Sequence, residues 1–135
     1  QLDIIENYLS KFKENGYNSI AIISKTQEES HEINKKLREK GIDVRDVTDS
    51  NTEYEGGICT MPCYLAKGLE FDGVIITDAS ENKYNSNKSI DMKLLYVAMT
   101  RALHDLTILH DGKLTLPLKN EIKVDIEEEI KTKVR

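Results

Sequence analysis

The stretch that decides the fold is Tyr64-Leu65-Ala66-Lys67-Gly68-Leu69-Glu70-Phe71-Asp72. It lies between two short, mainly apolar runs, 57–61 and 71–76, and runs of this kind predict strands. A lysine, a glycine and a glutamate therefore fall on the connection between two strands. Ligands of open α/β sheets bind outside the carboxyl ends of the strands, so we predict that this connection forms a ligand site there.

A second cluster, Leu94-Leu95-Tyr96-Val97-Ala98-Met99-Thr100-Arg101-Ala102, follows on a predicted helix that begins at residue 90 or 91. Four apolar side chains at helical spacing predict one buried stripe, formed by Met92, Leu95, Met99 and Ala102. On an ideal helix Arg101 lies about 120° from the centre of that stripe. We therefore expect its side chain to leave the core and reach a neighbouring cleft.

The flanking segments alternate between predicted helices and strands. Helices are predicted over 2–12 and 26–40, and strands over 19–24, 44–47 and 105–110. Residues 79–89 are rich in Asn, Ser and Lys and are predicted to form an exposed loop. This alternation predicts a three-layer α/β fold with a mainly parallel sheet. We assign 1–118 to this domain and 119–135 to a charged tail, which forms a terminal strand and helix or a linker.

Composition limits the function classes. The chain of 135 residues has no Trp and two Phe, so one domain with an aliphatic core is expected. The net charge of −5 excludes a broad basic face that binds duplex DNA, so any nucleic-acid contact must be local. Cys59 and Cys63 lack the further ligands of a zinc site, which predicts two reduced thiols and no metal ligands. The sequence has no signal peptide and no apolar run of membrane length, which predicts a cytoplasmic protein without a membrane partner.

Several residues of the two clusters suit a nucleotide. Gly68 permits the tight backbone at which N–H groups and Lys67 can approach a phosphate. Glu70 offers only acceptors when ionised, which suits sugar hydroxyls, and the planar fork of Arg101 can bind two phosphate oxygens. Structural alternatives stay open for each of them. The Lys-Gly-Leu-Glu segment could form an ordinary turn, Arg101 could cap the C-terminus of its helix, and Tyr96 could pack in the core or at its edge.

Taken in order and at this separation, 66–72 and 95–102 resemble motifs V and VI of superfamily 1 helicases of the UvrD/Rep type. The resemblance covers Ile20 to Leu109, and 21–37 is similar to the start of the second RecA-like domain of that family. It implies a RecA-like fold of the P-loop NTPase type. It also implies a C-terminal motor domain that acts on single-stranded DNA and binds ATP and Mg²⁺ against a Walker A domain of the same parent chain, which holds most of the metal.

The resemblance implies roles for individual residues. The implied nucleotide-binding residues are Gly68, Glu70 on the ribose hydroxyl, and Arg101 as the arginine finger on the γ-phosphate. Nucleic-acid binding or coupling is implied for Thr60, Tyr64 and Lys67, and support of motif VI for Tyr96 and Thr100. Arginine fingers contribute roughly 10³ to 10⁵ in rate, so Arg101 is the expected catalytic residue.

Two departures from the family pattern bear on function. UvrD-type helicases carry a Thr and a His, which face single-stranded DNA, where this chain has Pro62 and Tyr64. In this respect the stretch is closer to the HelD branch, whose members associate with bacterial RNA polymerase. The 135 residues contain no Gly-x-x-x-x-Gly-Lys-Ser/Thr loop and begin with Gln rather than Met. We therefore expect a piece of a longer protein that holds half of an ATP site and has negligible ATPase activity alone.

Two function classes stay open from the sequence. The first is the motor domain of an ATP-dependent DNA helicase or translocase. The second is the ATPase module of a factor that remodels RNA polymerase, with little or no unwinding. A free-standing receiver or flavodoxin-like domain is disfavoured, because no acidic pair follows the first predicted strand.

Overall fold

The computed structural model describes residues 2–49, 54, 56–115 and 129–133. The helices are α1 (Leu2–Glu14), α2 (Gln27–Glu39) and α3 (Ser89–Met99), with a 3-10 turn at Cys63–Leu65. The strands are β1 (Ser19–Ser24), β2 (Val44–Asp46), β3 (Gly57–Pro62), β4 (Phe71–Ile76), β5 (Ala102–Leu109) and β6 (Glu129–Lys133). Within the described residues they form one sheet in the order β2-β3-β1-β4-β5-β6. The first five strands are parallel and β6 is antiparallel to β5, which confirms the predicted sheet.

The two faces of the sheet carry separate hydrophobic cores, because successive side chains of a strand point to opposite faces. On β1, Ala21 and Ile23 join the core that contains Leu95 of α3. The alternate residues of β1 pack with the buried side of α1 and with α2. Helices therefore cover both faces of the central sheet, and the predicted three-layer arrangement is confirmed.

Helix α2 begins where its sequence predicts. The hydroxyl of Thr26 accepts from the Glu29 backbone N–H at 3.2 Å, and the Glu29 carboxylate accepts from the Thr26 backbone N–H at 3.2 Å. This reciprocal capping box satisfies two N–H groups that the first helical turn leaves without partners. It fixes the point at which the chain leaves β1 and enters α2.

A close contact between α1 and β4 holds the first helix against the sheet. Phe12 is fully buried, and a Cβ atom built on Gly73 would lie 2.6 Å from Phe12 Cδ2 and 2.7 Å from Cε2. We expect Gly73→Ala to lower the free energy of unfolding by about 1–3 kcal/mol, measured by urea denaturation, because the added methyl group overpacks this contact. Phe12→Leu in the same background should recover part of that loss, whereas fully additive effects would show that the two residues do not meet.

Residues 79–88 form a loop, as predicted, but the prediction that this loop is exposed is wrong for Ala79, Ser80 and Tyr84. Tyr84 is fully buried, and its carbonyl accepts from the Thr115 hydroxyl at 2.8 Å. A bridge between Ser80 and Leu114 ties the beginning of the segment to the chain beyond β5. The polar composition gave the wrong prediction because one aromatic side chain and a few backbone hydrogen bonds are enough to anchor the segment.

The predicted end of α3 is also wrong. The helix stops at Met99, and Ala102 is the first residue of β5, three residues before the predicted start of that strand. The buried side of α3 is formed by Asp91, Leu95 and Ala98. Arg101 therefore lies on the connection between α3 and β5 and not on the helix.

Most of the predicted tail lies outside the described residues. Residues 129–133 form β6, whose backbone pairs with β5 from Leu109 opposite Glu129 to Asp105 opposite Lys133. Part of the tail thus extends the sheet. The domain boundary at residue 118 stays a prediction.

Candidate functional site

The connection between β3 and β4 runs from one edge of the sheet to the other. Strand β1 lies between β3 and β4, and all three are parallel. Pro62 at the end of β3 lies opposite Ser24, the last residue of β1. Phe71 begins β4 two residues before Gly73, which lies opposite Ile20 near the start of β1. The connection therefore leaves the carboxyl edge of the sheet after Pro62 and reaches the amino edge at residue 70.

This topology corrects the predicted location of the site. Glu70 lies at the amino edge of the sheet, whereas the prediction was the carboxyl edge. A connection between two parallel strands has to return along the length of the sheet, whether or not another strand lies between them. The residues that directly precede β4 therefore lie at its amino end, and only the residues that directly follow β3 lie at the carboxyl edge.

The amino edge brings the two sequence clusters together. The Phe71 N–H donates to the Arg101 carbonyl at 2.9 Å, and Phe71 lies opposite Ala102 in the β4–β5 ladder. The residues that precede this pair are Glu70, which is exposed, and Arg101, which is partly buried. One backbone hydrogen bond thus brings together Phe71 of the first cluster and Arg101 of the second, which are thirty positions apart in the chain.

Gly68 lies in a tight turn just before this edge. The Leu69 N–H donates to the Ala66 carbonyl at 3.1 Å, and the φ angle of Gly68 is +83°. A positive φ at the third position of such a turn favours glycine, since a side chain there is strained. Lys67 is exposed at the second position of the turn. The segment is an ordinary turn in geometry, and it leaves Lys67 exposed to solvent three residues before Glu70.

Arg101 caps the C-terminus of α3. Its Nε donates to the Val97 carbonyl at 3.0 Å and its Nη2 to the Thr100 hydroxyl at 3.0 Å. The last carbonyls of a helix lack partners within the helix and favour a cation. The helix-capping alternative for Arg101 is therefore confirmed, and its guanidinium is held against the last turn of α3.

Asp72 joins this edge to the connection between α1 and β1. Its carboxylate accepts from the Asn18 backbone N–H at 2.9 Å, and its own N–H donates to the Ser19 hydroxyl at 2.9 Å. Nearby, the Tyr17 hydroxyl donates to the buried Asp105 carboxylate, and this hydrogen bond raises the pKa of Tyr17 to about 12. Hydrogen bonds thus connect both β4 and β5, close to the Glu70–Arg101 pair, to the segment between α1 and β1.

Of the three predicted nucleic-acid residues, Tyr64 and Thr60 are not brought together with Glu70 and Arg101, whereas Lys67 lies in the turn that directly precedes Glu70. Tyr64 lies just beyond Pro62 at the carboxyl edge, is 52% exposed, and donates through its hydroxyl to Gln27 Oε1 at 2.9 Å. Thr60 is fully buried in β3, and its hydroxyl accepts from Asn34 Nδ2 at 3.1 Å. In this arrangement Thr60 has no surface for a direct contact, so its assignment to coupling stays a prediction. Tyr96 is 69% exposed, so the alternative that it packs in the core is wrong.

The sequence analysis did not predict a partly buried ion pair at the carboxyl edge. Lys25 Nζ lies 3.1 Å from Asp91 Oδ1, and Lys25 also lies over the Tyr84 ring. Burial alone raises the pKa of Asp91, but the Asn85 N–H and the Lys25 ammonium outweigh it and hold that pKa below its usual range. The sequence shows Asp91 as an acidic residue in the first turn of a predicted helix, but it does not show its partner, because Lys25 lies 66 positions earlier in the chain. This pair fastens the start of α3 to the end of β1.

The parallel order of the sheet, its helix-covered faces and the paired clusters at one edge define a RecA-like α/β domain. Residues 57–109 match the family model described as UvrD-like helicase C-terminal domain. The crystal structure of the C-terminal domain of a possible DNA helicase from Lactobacillus plantarum WCFS1 is similar with a TM-score of 0.72 and 32% identity. That similarity covers 84% of this chain and 68% of the other. The chain therefore belongs to the UvrD-like helicase C-terminal domain family.

Full-length relatives match over a shorter segment. A probable DNA helicase II homolog from Rickettsia conorii and the DNA helicase II of Rickettsia typhi are each 36% identical over 69 residues, which is 44% of this chain. The match spans 11% of the first relative and 10% of the second, so this chain corresponds to a small part of them. These relatives support the UvrD-like assignment and not the narrower HelD branch. None of the helices in the described part of the chain is long and apolar enough to cross a membrane.

Proposed function

We propose that this chain is the C-terminal motor domain of an ATP-dependent DNA helicase or translocase. Its amino sheet edge completes the ATP site of a Walker A domain in the same parent protein. The observation that carries the proposal is the hydrogen bond from the Phe71 N–H to the Arg101 carbonyl, which makes Glu70 and Arg101 neighbours at one surface. Membership of the UvrD-like family supports it.

The two side chains have complementary chemistry for a nucleotide. Arg101 binds the γ-phosphate and stabilises the charge that develops during its transfer. Glu70 is exposed and accepts hydrogen bonds from the ribose, and Gly68 gives the turn its shape beside the nucleotide. When bound, Mg²⁺ neutralises charge on the phosphates, and the Walker A domain supplies most of its ligands. The chain alone carries half of the site and is expected to hydrolyse ATP negligibly.

Replacing Glu70 by alanine tests the ribose contact. The parent protein is expected to hydrolyse ATP with a higher kcat/KM than 2′-deoxy-ATP or 3′-deoxy-ATP, because a site built to bind a hydroxyl rejects the analogue that lacks it. Glu70→Ala should lower kcat/KM for ATP by about tenfold, the loss of one charged hydrogen bond, and should remove the preference for the ribose hydroxyl. Glu39→Ala, which removes an exposed glutamate of α2, serves as the control. A discrimination against the deoxy analogues that survives in Glu70→Ala would contradict the assignment.

The DNA track is proposed to involve Lys67 and Tyr64, with Thr60 acting in coupling from the interior. The decisive experiment is ATP hydrolysis by the parent protein with and without single-stranded DNA, together with a salt titration of DNA binding. A translocase should be stimulated by DNA. A plot of the logarithm of its DNA-binding constant against the logarithm of the salt concentration should have a slope of about −0.7 for each phosphate contact.

One observation favours a second function, in which this chain is the ATPase module of a HelD-type factor that remodels RNA polymerase. Pro62 and Tyr64 occupy the positions where UvrD-type helicases carry Thr and His, and the Tyr64 hydroxyl is engaged with Gln27 in this chain. Hydrolysis that is unaffected by DNA, with a shallow salt dependence, would favour this function and contradict the translocase. Strong stimulation by DNA would contradict the remodelling module.

A further inference from the structure

The guanidinium of Arg101 is bound along only one of its edges. Arginine carries five N–H donors, and Nε with the adjacent Nη2 forms a side edge, while Nη1 and Nη2 form an end edge. The side edge is used: Nε donates to the Val97 carbonyl at 3.0 Å and Nη2 to the Thr100 hydroxyl at 3.0 Å. Among the described residues, Nη1 has no hydrogen-bond partner, and Nη2 has a second hydrogen that the bond to Thr100 does not use. This end edge matches the two oxygens of a phosphate group.

The Thr100 hydroxyl is itself fixed from the helix side. It lies 3.1 Å from the Tyr96 carbonyl and 3.0 Å from the Val97 carbonyl, so its single hydrogen is shared between them. Its lone pair is thereby left to accept from Arg101. A chain of hydrogen bonds connects the last turn of α3 through Thr100 to the guanidinium.

The backbone of Arg101 is held as firmly as its side edge. Its carbonyl accepts from the Phe71 N–H at 2.9 Å, and its N–H donates to the Ala98 carbonyl at 3.3 Å. Main chain and side edge are thus both anchored, the first to β4 and the second to α3. The freedom that remains to the guanidinium is small compared with that of an exposed arginine.

We infer that Thr100 is a positioning residue for Arg101: it occupies the side edge of the guanidinium so that the end edge faces the transferred phosphate. This inference rests on the proposed function, and it adds that Arg101 acts from its capping position and does not leave it when nucleotide binds. Capping of α3 and phosphate binding are then simultaneous uses of one side chain. They occupy different donors and do not compete.

The loss of the Thr100 hydroxyl has a specific kinetic consequence. The charge of Arg101 remains in Thr100→Val, so nucleotide binding is largely kept. The guanidinium is no longer aligned, and the rate depends on alignment more steeply than binding does. We expect kcat for ATP hydrolysis to fall about tenfold or more with less than about a threefold change in KM.

The test compares Thr100→Val, Thr100→Ser and Arg101→Ala in the parent protein. Serine keeps the hydroxyl, so Thr100→Ser should retain at least about half of the kcat, whereas the nearly isosteric valine should not. Thr100→Ala repeats the loss of the hydroxyl if valine prevents folding. Equal kcat values for the serine and valine variants would overturn the inference. If Arg101→Ala itself leaves kcat unchanged, the proposed function fails, and that outcome is distinct from a failure of Thr100 alone.

A second readout needs no hydrolysis. In the 135-residue chain, proton exchange of Arg101 Nε–H with water, followed by NMR, reports whether the side edge is held. Exchange should become several-fold faster in Thr100→Val and should be restored in Thr100→Ser. Exchange that is unchanged in the valine variant would show that Thr100 does not hold the guanidinium.

Discussion

Arg101→Ala in the parent protein is expected to lower kcat for ATP hydrolysis by at least about 10³-fold, because an arginine on the γ-phosphate stabilises transition-state charge by amounts in that range. Binding of ATP, measured by equilibrium titration, should change far less. The measurement is single-turnover hydrolysis at saturating ATP, which separates the chemical step from product release.

Arg38→Ala is the matched control for this experiment. Arg38 lies in the last turn of α2, and its Nε also donates to a backbone carbonyl, that of Val44, at 3.0 Å. Its loss therefore removes a comparable structural contact on the opposite side of the sheet from α3. We expect the Arg38→Ala variant to hydrolyse ATP at the rate of the unmodified parent protein. Equal losses for the two variants would mean that Arg101 is only a helix cap.

Tyr84→Ala is expected to lower the free energy of unfolding by about 3–5 kcal/mol, the range for removing a large aromatic side chain from a core. Tyr84 is fully buried, and its ring packs in the same core as Leu95 and Leu114. Burial raises the pKa of its hydroxyl well above the usual range, which is the behaviour of a phenol enclosed by apolar groups. Urea denaturation of the 135-residue chain measures the change.

The control for Tyr84 keeps the ring and removes the hydroxyl. That hydroxyl lies beside the buried Cys63 thiol, a weak partner, so Tyr84→Phe should change the free energy of unfolding by less than about 1 kcal/mol. A loss for Tyr84→Ala as small as that for Tyr84→Phe would mean that the 79–89 segment is exposed in solution, as its composition indicates.

Local sequence patterns predicted an element correctly where the interactions that form it lie within a few residues of each other. The apolar run of β1 and the Thr26–Glu29 capping box each act within a few residues, and both elements form where they were predicted. The sequence also identified the two clusters that meet, because their residue types have nucleotide chemistry. It did not give the edge at which they meet, because the predicted helix ran through Ala102 and concealed that Arg101 directly precedes a strand, as Glu70 does.

The other wrong or missed sequence predictions also concern contacts between residues that are distant in the chain or features that depend on where an element ends. Ala102 fits a helical stripe by spacing, but an alanine is equally suited to the first residue of a strand that pairs with Phe71. The single buried Tyr84 outweighs its many polar neighbours, and its packing against distant residues is invisible in a local window. The bond between Thr100 and Arg101 was likewise beyond prediction, because it depends on α3 ending at Met99.

Amide hydrogen exchange of the parent protein, with and without a non-hydrolysable ATP analogue and Mg²⁺, tests the central claim most directly. The claim is that the amino edge of this sheet, and not its carboxyl edge, faces the nucleotide. The account predicts protection at 68–72 and 97–103 when the analogue binds, with little change at 24–27 and 62–65. Protection confined to 24–27 and 62–65 would contradict it, because those residues lie at the carboxyl edge.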